Sequence, residues 1–252
     1  MSAQSNESYE VTQICLLAGK IMLQSGGETY RVEDTMMRIA ASYGYENCHS
    51  FVTPTGIIFA IDGSAPTTRL FRISDRSTDL EKVTLVNDIS RRISSGSLSG
   101  AEAFRMLQKI DKANLAYPVW IQIAAASVSS GCFAIMFRGS WPEFIPALLA
   151  GGIGFSLLLY VHRLVRIKFF AEFLASVAIG TVSYLCIKNG LGRDLDKIII
   201  GSVMPLVPGL LITNAVRDLM AGHLVSGISK GAEALLTAFA IGAGIACVIS
   251  FS

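Results

Sequence analysis

Phe144-Ile145-Pro146-Ala147-Leu148-Leu149-Ala150-Gly151-Gly152-Ile153-Gly154-Phe155-Ser156-Leu157-Leu158-Leu159-Tyr160-Val161-His162 runs nineteen residues without one Asp, Glu, Lys or Arg. At about 1.5 Å of rise per residue, such a helix matches the roughly 30 Å hydrocarbon core of a bilayer. Working outward, Val119–Phe137, Ile198–Val216 and Ala234–Ser252 are equally free of charge, and Phe169–Ile187 carries one, Glu172. Five such stretches joined by short connections predict a domain of five transmembrane helices over residues 119–252.

Composition agrees. Hydrophobic residues make up 52% of the 252, charged residues 16%, and the mean hydropathy is +0.52; a soluble chain carries about 25% charged residues. The charges are also uneven. Residues 1–118 hold 12 Lys/Arg and 13 Asp/Glu, whereas residues 119–252 hold 9 and 6. A polar front half therefore precedes a lipid-soluble back half. The net charge of +2 is too small and scattered for a nucleic-acid partner. Cys15, Cys48, Cys132, Cys186 and Cys247 show neither a CxxC pair nor a metal-ligand spacing with histidine, so reduced thiols are expected, with no metal site. The N-terminal residues lack the basic patch and apolar core of a cleavable signal peptide.

Orientation follows from the basic residues between spans. With the front half cytosolic, Arg163, Arg166, Lys168, Arg217 and Lys230 lie inside, and Arg138, Lys188, Arg193 and Lys197 outside. The balance favours a cytosolic N-terminal domain and an external C-terminus, and the missing export signal points the same way.

Residues 1–118 read as a small α+β domain. A helix from about Tyr9 to Gln24 carries Ile14, Leu17 and Ile21 on one face. Ser25–Glu28, Thr78–Glu81 and Ser99–Glu102 have capping-box spacing and mark three further helix starts. Apolar positions on those helices are Tyr30, Met37 and Ala41, then Val83 and Val86, then Ala103, Leu107 and Ile110. Between them, His49–Thr53, Gly56–Asp62 and Thr68–Ile73 have strand character, punctuated by Pro54, Gly56 and Asp62-Gly63. The predicted order is two helices, an antiparallel three-stranded patch and two helices.

Catalytic signatures are scarce. Gly19-Lys20 lacks the remaining residues of a phosphate-binding loop, and no GxSxG, HExxH or cofactor motif occurs. His49, Ser50 and Asp62 are the one hydrolase-like set, but neighbouring His and Ser point to opposite faces of a strand.

The fourth apolar stretch departs from a plain anchor. Met204-Pro205-Leu206-Val207-Pro208-Gly209 interrupts it, because each proline lacks an N–H and crowds the carbonyl four residues back. Discontinuous helices of this kind build sites in transporters, and a packing kink is the alternative. Beyond the break, Asn214, Arg217 and Asp218 fall at i, i+3 and i+4 on one helical face, followed by His223. Ala150-Gly151-Gly152-Ile153-Gly154 allows close helix approach. Glu172, across a short loop from His162–Arg166, is a charge partner or a proton carrier.

These features together resemble a known family. Ser25-Gly26-Gly27-Glu28-Thr29 and Thr53-Pro54-Thr55-Gly56 precede five spans, and Pro205-Leu206-Val207-Pro208-Gly209 leads to Asn214-Ala215-Val216-Arg217-Asp218-Leu219-Met220-Ala221-Gly222-His223. The whole chain resembles the threonine/serine exporter (ThrE) family, nearest the YjjP-like larger subunit of its split form. The resemblance implies secondary export of small carboxylate-bearing metabolites, threonine, serine or succinate, across a bacterial inner membrane. It implies a partner, since full-length members continue into a second set of about five spans: here that half is expected as a second small multi-span membrane subunit. Whether copies also form a homo-oligomer is left open.

With no nucleotide motif, an ion gradient, most simply of protons, is the expected energy source, and no cofactor is expected. On this reading Pro205, Pro208 and Gly209 shape the break, Asn214 is a hydrogen-bond partner, and Arg217 meets a carboxylate in two-point geometry. Asp218, His223 and Glu172 are the candidates for ion coupling, with Asp218 also placed to balance Arg217. The competing readings are a membrane-anchored hydrolase or a ligand sensor, with the front half as the active module.

Overall fold

A computed structural model describes residues 3–62, 66–165 and 167–251, with the side chains of 3–7 and 168 not among them. Arg166, Gly63 and Ser252, which enter the charge count, a turn and a span end above, lie outside the described residues. The chain divides into two compact units, Met1–Ala116 with Leu210–Gly231, and Tyr117–Gly209 with Ala232–Ser252.

The first unit begins with α1 (Ala3–Gln24), α2 (Thr29–Ser42), β1 (Cys48–Thr53), β2 (Gly56–Ile61), β3 (Thr67–Arg72), α3 (Leu80–Ser94) and α4 (Gly100–Lys112). The order matches the sequence reading. The strands form an antiparallel sheet in the order β1-β2-β3, in which Ile58 pairs with both Phe51 and Leu70. Side-chain alternation sends Val52, Ile57, Phe59 and Ile61 into the core and leaves Phe51, Ile58 and Leu70 exposed. Ile14, Cys15, Ala18, Ile21 and Met22 of α1 fill the same core, joined by Val83 and Val86 of α3 and Ala103, Leu107 and Ile110 of α4. A fully buried side chain such as Phe59 contributes roughly 1.5–3 kcal/mol by leaving water.

Two local expectations are corrected. On α2 the buried stripe is Val32, Met36, Ile39 and Ala40, while Tyr30 and Met37 are exposed. Residues 30, 37 and 41 also satisfy helical spacing, so periodicity allowed two faces and packing in this unit selected the one with the β-branched residues. Of the three capping boxes, Ser99–Glu102 forms as read. At α3 the cap is Asp79, which accepts the Lys82 N–H, and at α2 it is Glu28 with no side-chain cap bond. A box the sequence reading did not name, Ser140–Glu143, starts a helix in the second unit.

That unit contains α5 (Val119–Met136), α6 (Trp141–Leu164), α7 (Lys168–Lys188) and α8 (Leu195–Val203), followed by a 3₁₀ turn at Met204–Leu206. The chain then enters α9 (Gly209–Met220) and α10 (Leu224–Phe251). Proline causes the interruption: Pro208 cannot donate, Val207 is extended, and a fresh helix starts at Gly209. Helices α5, α6, α7 and α10 are long and apolar enough to cross a membrane, and the interrupted pair makes a fifth span if counted as one. The molecule is thus a mostly helical membrane protein with a small N-terminal sheet. The final helix is longer than the charge-free stretch from Ala234, because its first turns carry Lys230 and Glu233. The five cysteines form no disulfide.

Small residues hold the apolar helices together. Gly151 and Gly152 of α6 face Ser130 and Ser127 of α5, and Gly154 faces Ile179 of α7. Gly201 of α8 packs directly against backbone, since a Cβ there would lie 2.6 Å from the Ala134 nitrogen and 2.7 Å from the Ser130 carbonyl oxygen. Backbone cannot swing aside as a side chain can. Gly201→Val is therefore expected to separate α5 from α8 at a cost of about 3 kcal/mol or more, seen as loss of the monodisperse protein in detergent. A normal yield would show that the two helices tolerate a wider spacing.

Candidate functional site

A polar cluster lies inside the first unit, where the turn before α2 meets a helical hairpin made by α9 and the start of α10. Gly222 makes that hairpin. Its φ of +87 suits glycine, and the His223 N–H closes back onto the Asp218 carbonyl at 2.9 Å, a tight C-terminal cap. The reversal is close because Gly227 has no side chain: a Cβ there would meet Leu219 at 2.5 Å and the Ala215 carbonyl at 3.0 Å. Lys230 is thereby returned beside Asp218, twelve residues earlier.

Asp218 is completely buried and fully engaged. Its Oδ1 accepts the Thr29 backbone N–H at 2.9 Å, and its Oδ2 accepts the Thr29 hydroxyl at 2.9 Å and the Lys230 ammonium at 2.7 Å. Lys230 also donates to Thr29 Oγ1 at 3.2 Å. Helix α2, which has no side-chain cap of its own, is thus capped by a carboxylate 189 residues away, where the positive end of the helix favours an anion. The ammonium supplies the balancing charge. Without it a buried carboxylate would be several kcal/mol unfavourable.

Arg217, one residue earlier, is half exposed and reaches a different carboxylate. Its Nη1 donates to Glu28 Oε1 at 2.6 Å, while Arg31 approaches the other oxygen at 3.2 Å. Burial raises the Glu28 carboxyl's pKa, but its backbone hydrogen bond and the two guanidinium groups outweigh this and hold it below its ordinary range. A lowered carboxyl contributes stability that is present above its unfolded value and lost as pH falls through the folded value. Glu28→Gln is expected to remove that contribution, so that the stability difference between the two proteins is constant above about pH 5 and narrows as pH falls below the ordinary glutamate value of 4.5 in a thermal-shift series. An unchanged difference would mean that Glu28 is paired only weakly.

Two further contacts extend the cluster. Asn214 Nδ2 donates to the Gly26 carbonyl at 2.9 Å, and Ser226 donates to the Val52 carbonyl at 3.1 Å. Glu33 accepts the Val52 N–H at 2.8 Å and lies 3.7 Å from His223 Nδ1. Its carboxyl is raised, chiefly by burial and further by Asp218, against the pull of Val52 and His223.

Of the residues picked from sequence, Asn214, Arg217, Asp218 and His223 come together here. Pro205, Pro208 and Gly209 belong to the second unit, as does Glu172, which is buried on α7. The sequence reading balances Arg217 with Asp218; the structure gives Arg217 to Glu28 and Asp218 to Lys230. Glu28, Thr29, Glu33 and Lys230 are the members that reading missed. The signal for Glu28-Thr29 is present in Ser25-Gly26-Gly27-Glu28-Thr29, whose glutamate has the spacing of a capping residue. Lys230 carried a signal too, as a lone cation next to the last apolar stretch.

The hydrolase-like set is not assembled as a catalyst. His49 and Asp62 are both exposed, 3.4 Å apart, on the outer side of the sheet, whereas the Ser50 hydroxyl is buried on the other side.

Comparison with known proteins gives a consistent picture. A model of the threonine/serine exporter family, ThrE, matches residues 13–252. The chain is 26% identical to a probable succinate transporter subunit YjjP of Klebsiella aerogenes, over 97% of this chain and 95% of that one. The Escherichia coli protein of the same description is 25% identical, covering 98% and 96%. A probable threonine/serine exporter of Mycobacterium tuberculosis is 24% identical across 94% of this chain, which spans 45% of that protein's length. No solved structure matches the chain.

Proposed function

The chain belongs to the threonine/serine exporter family, and from that membership we propose that it is one subunit of a secondary exporter of small carboxylate-bearing metabolites. The single observation that carries the reading is the pair formed by Arg217 and Glu28. A guanidinium whose partner is a carboxylate, and whose side chain is 55% exposed, is chemically equipped to exchange that internal carboxylate for one on a substrate. Asn214 supplies an amide beside it, and Pro205, Pro208 and Gly209 give the helix the break that such an exchange requires. Asp218, with His223 and Glu172, is the coupling group, and protons are the coupling ion. Candidate substrates are threonine, serine and succinate, after the relatives' names.

A second small multi-span membrane subunit completes the pathway. The support is that relatives matched over nearly their whole length are named as subunits, whereas the mycobacterial exporter is more than twice as long. Export measured by metabolite profiling of the medium, in cells without endogenous exporters, should need both chains together. Full export by this chain alone in liposomes would overturn the two-subunit reading.

The N-terminal domain is cytosolic and the C-terminus external in this proposal, with five spans between. An alkaline phosphatase reporter after Ser252 should be active, and one placed before Val119 silent. The reverse pattern would put Arg217 on the outer face and exclude capture of cytosolic substrate by it.

A further inference from the structure

The first unit contains a second polar feature, remote in sequence from the Arg217 cluster. A cavity of about 500 Å³ opens between α1, the C-cap of α2 and the first turn of α4. Its lining combines three kinds of surface. Val11, Ile14 and Phe104 provide an apolar wall. Glu10 and Arg105 provide opposite charges, both exposed, and neither makes a hydrogen bond or ion pair among the described residues. Tyr43 provides a hydroxyl whose oxygen is buried and has no hydrogen-bond partner. An orphaned buried hydroxyl is uncommon in a folded protein and costs about 1–3 kcal/mol.

We propose that this cavity is a binding site for a small zwitterionic amino acid. The charges fit such a ligand and few others. Arg105 meets the carboxylate through its fork of donors, and the N–H groups of Gly100 and Ala101, in the first turn of α4, lie on the same wall. Glu102, the nearby acid, is held in its capping box with Ser99 and attracts Arg105 and Arg92 electrostatically, so it lessens the positive charge of this wall without forming an ion pair with Arg105. Glu10 meets the ammonium, with the Gln13 amide at its side. The ligand's side chain lies on Phe104 beside Ile14, and a hydroxyl on it would partner Tyr43 once a small turn of the ring brings the phenol to the cavity wall. Burial raises the Tyr43 phenol, which stays protonated and able to donate. Gly100 lets the Tyr43 ring pack against the start of α4: a Cβ there would come within 3.2 Å of the Tyr43 oxygen and 3.5 Å of Ile14.

The neighbouring bay of about 380 Å³ shows the contrast. It shares Gln13 and Phe104, but its one carboxylate, Asp111, already pairs with Lys20 at 2.8 Å, which leaves Lys112 and no free acid to meet an ammonium. A site of this kind in the polar unit reads amino-acid concentration, a sensing role separate from the transport pathway.

The test uses the full-length chain carrying Arg217→Ala, which silences the proposed transport site, and equilibrium dialysis with labelled L-threonine as probe. Saturable binding is expected. Glu10→Gln and Arg105→Gln should each weaken it at least about tenfold, since each removes one charge-assisted contact. Ala101→Trp should abolish it, because Ala101 is exposed on α4 and the indole fills the cavity without entering the core. Lys109→Gln, exposed on the same helix outside the cavity, should bind as the parent does. Succinate, which has no ammonium, should not compete. The proposal is overturned by absence of saturable binding in the parent, by full binding in the Ala101→Trp and Glu10→Gln proteins, or by equal competition from succinate. Because binding is read in a transport-silent protein, failure of the exporter reading leaves these outcomes unaffected.

Discussion

Arg217→Lys is expected to leave the protein inserted and monodisperse and to lower export at least about tenfold, while Arg217→Ala abolishes it. The reasoning starts from the 2.6 Å contact with Glu28. Lysine can reproduce one such contact and keeps the charge, so the resting pair survives and folding is spared. It cannot present two parallel donors to an incoming carboxylate, so capture of substrate in competition with Glu28 is what fails. An arginine that merely marks the membrane interface would tolerate lysine, which snorkels to the headgroups equally well. The measurement is initial export rate at matched membrane levels. Near-normal export by the Arg217→Lys protein would reassign the residue to packing and topology.

The sequence carried most of the architecture because the two signals it rests on are local. Charge-free runs of about twenty residues and alternating strands declare themselves within a short window, and the three strands, the four polar helices and α5, α6 and α7 lie close to the expected bounds, whereas the fourth apolar stretch is broken into α8 and α9 and the last helix begins at Leu224, ahead of Ala234. Where two local signals competed, the sequence was ambiguous. Residues 30, 37 and 41 and residues 32, 36, 39 and 40 both make a helical stripe, and packing in the folded unit chooses between them. Thr78–Glu81 has capping-box spacing, but Asp79 is one residue closer to the start of α3 and takes the role.

The site was half legible. Asn214, Arg217 and Asp218 stand out because they share a face just beyond a proline break. Their partners do not, because Thr29 and Glu28 lie nearly two hundred residues away, and pairing at that separation is a property of the fold. Adjacency along the chain even misled, since Asp218 beside Arg217 suggests a pair. On a helix, neighbouring residues diverge by about 100° and face different partners.

Lys230→Met is expected to remove most of the folded protein, and adding Asp218→Asn is expected to bring it back without restoring proton-driven export. The single change leaves the Asp218 carboxylate buried with Thr29 and no counter-charge, at a cost of about 3–5 kcal/mol, a large fraction of the roughly 5–15 kcal/mol that holds a domain folded. In the double variant neither position buries a charge. The asparagine carbonyl still accepts the Thr29 N–H, its amide can donate to the Thr29 hydroxyl, and methionine fills the volume of the lysine stem. Folded yield, read by size exclusion, should therefore recover. Two transport assays then separate the roles. Exchange of labelled for unlabelled substrate needs only the binding site around Arg217, and should persist. Net export driven by a proton gradient needs a group that changes charge, and should be lost. A double variant that regained both would identify Asp218 and Lys230 as a structural tie between the α2 N-terminus and the hairpin, and would move the coupling role to His223 or Glu172.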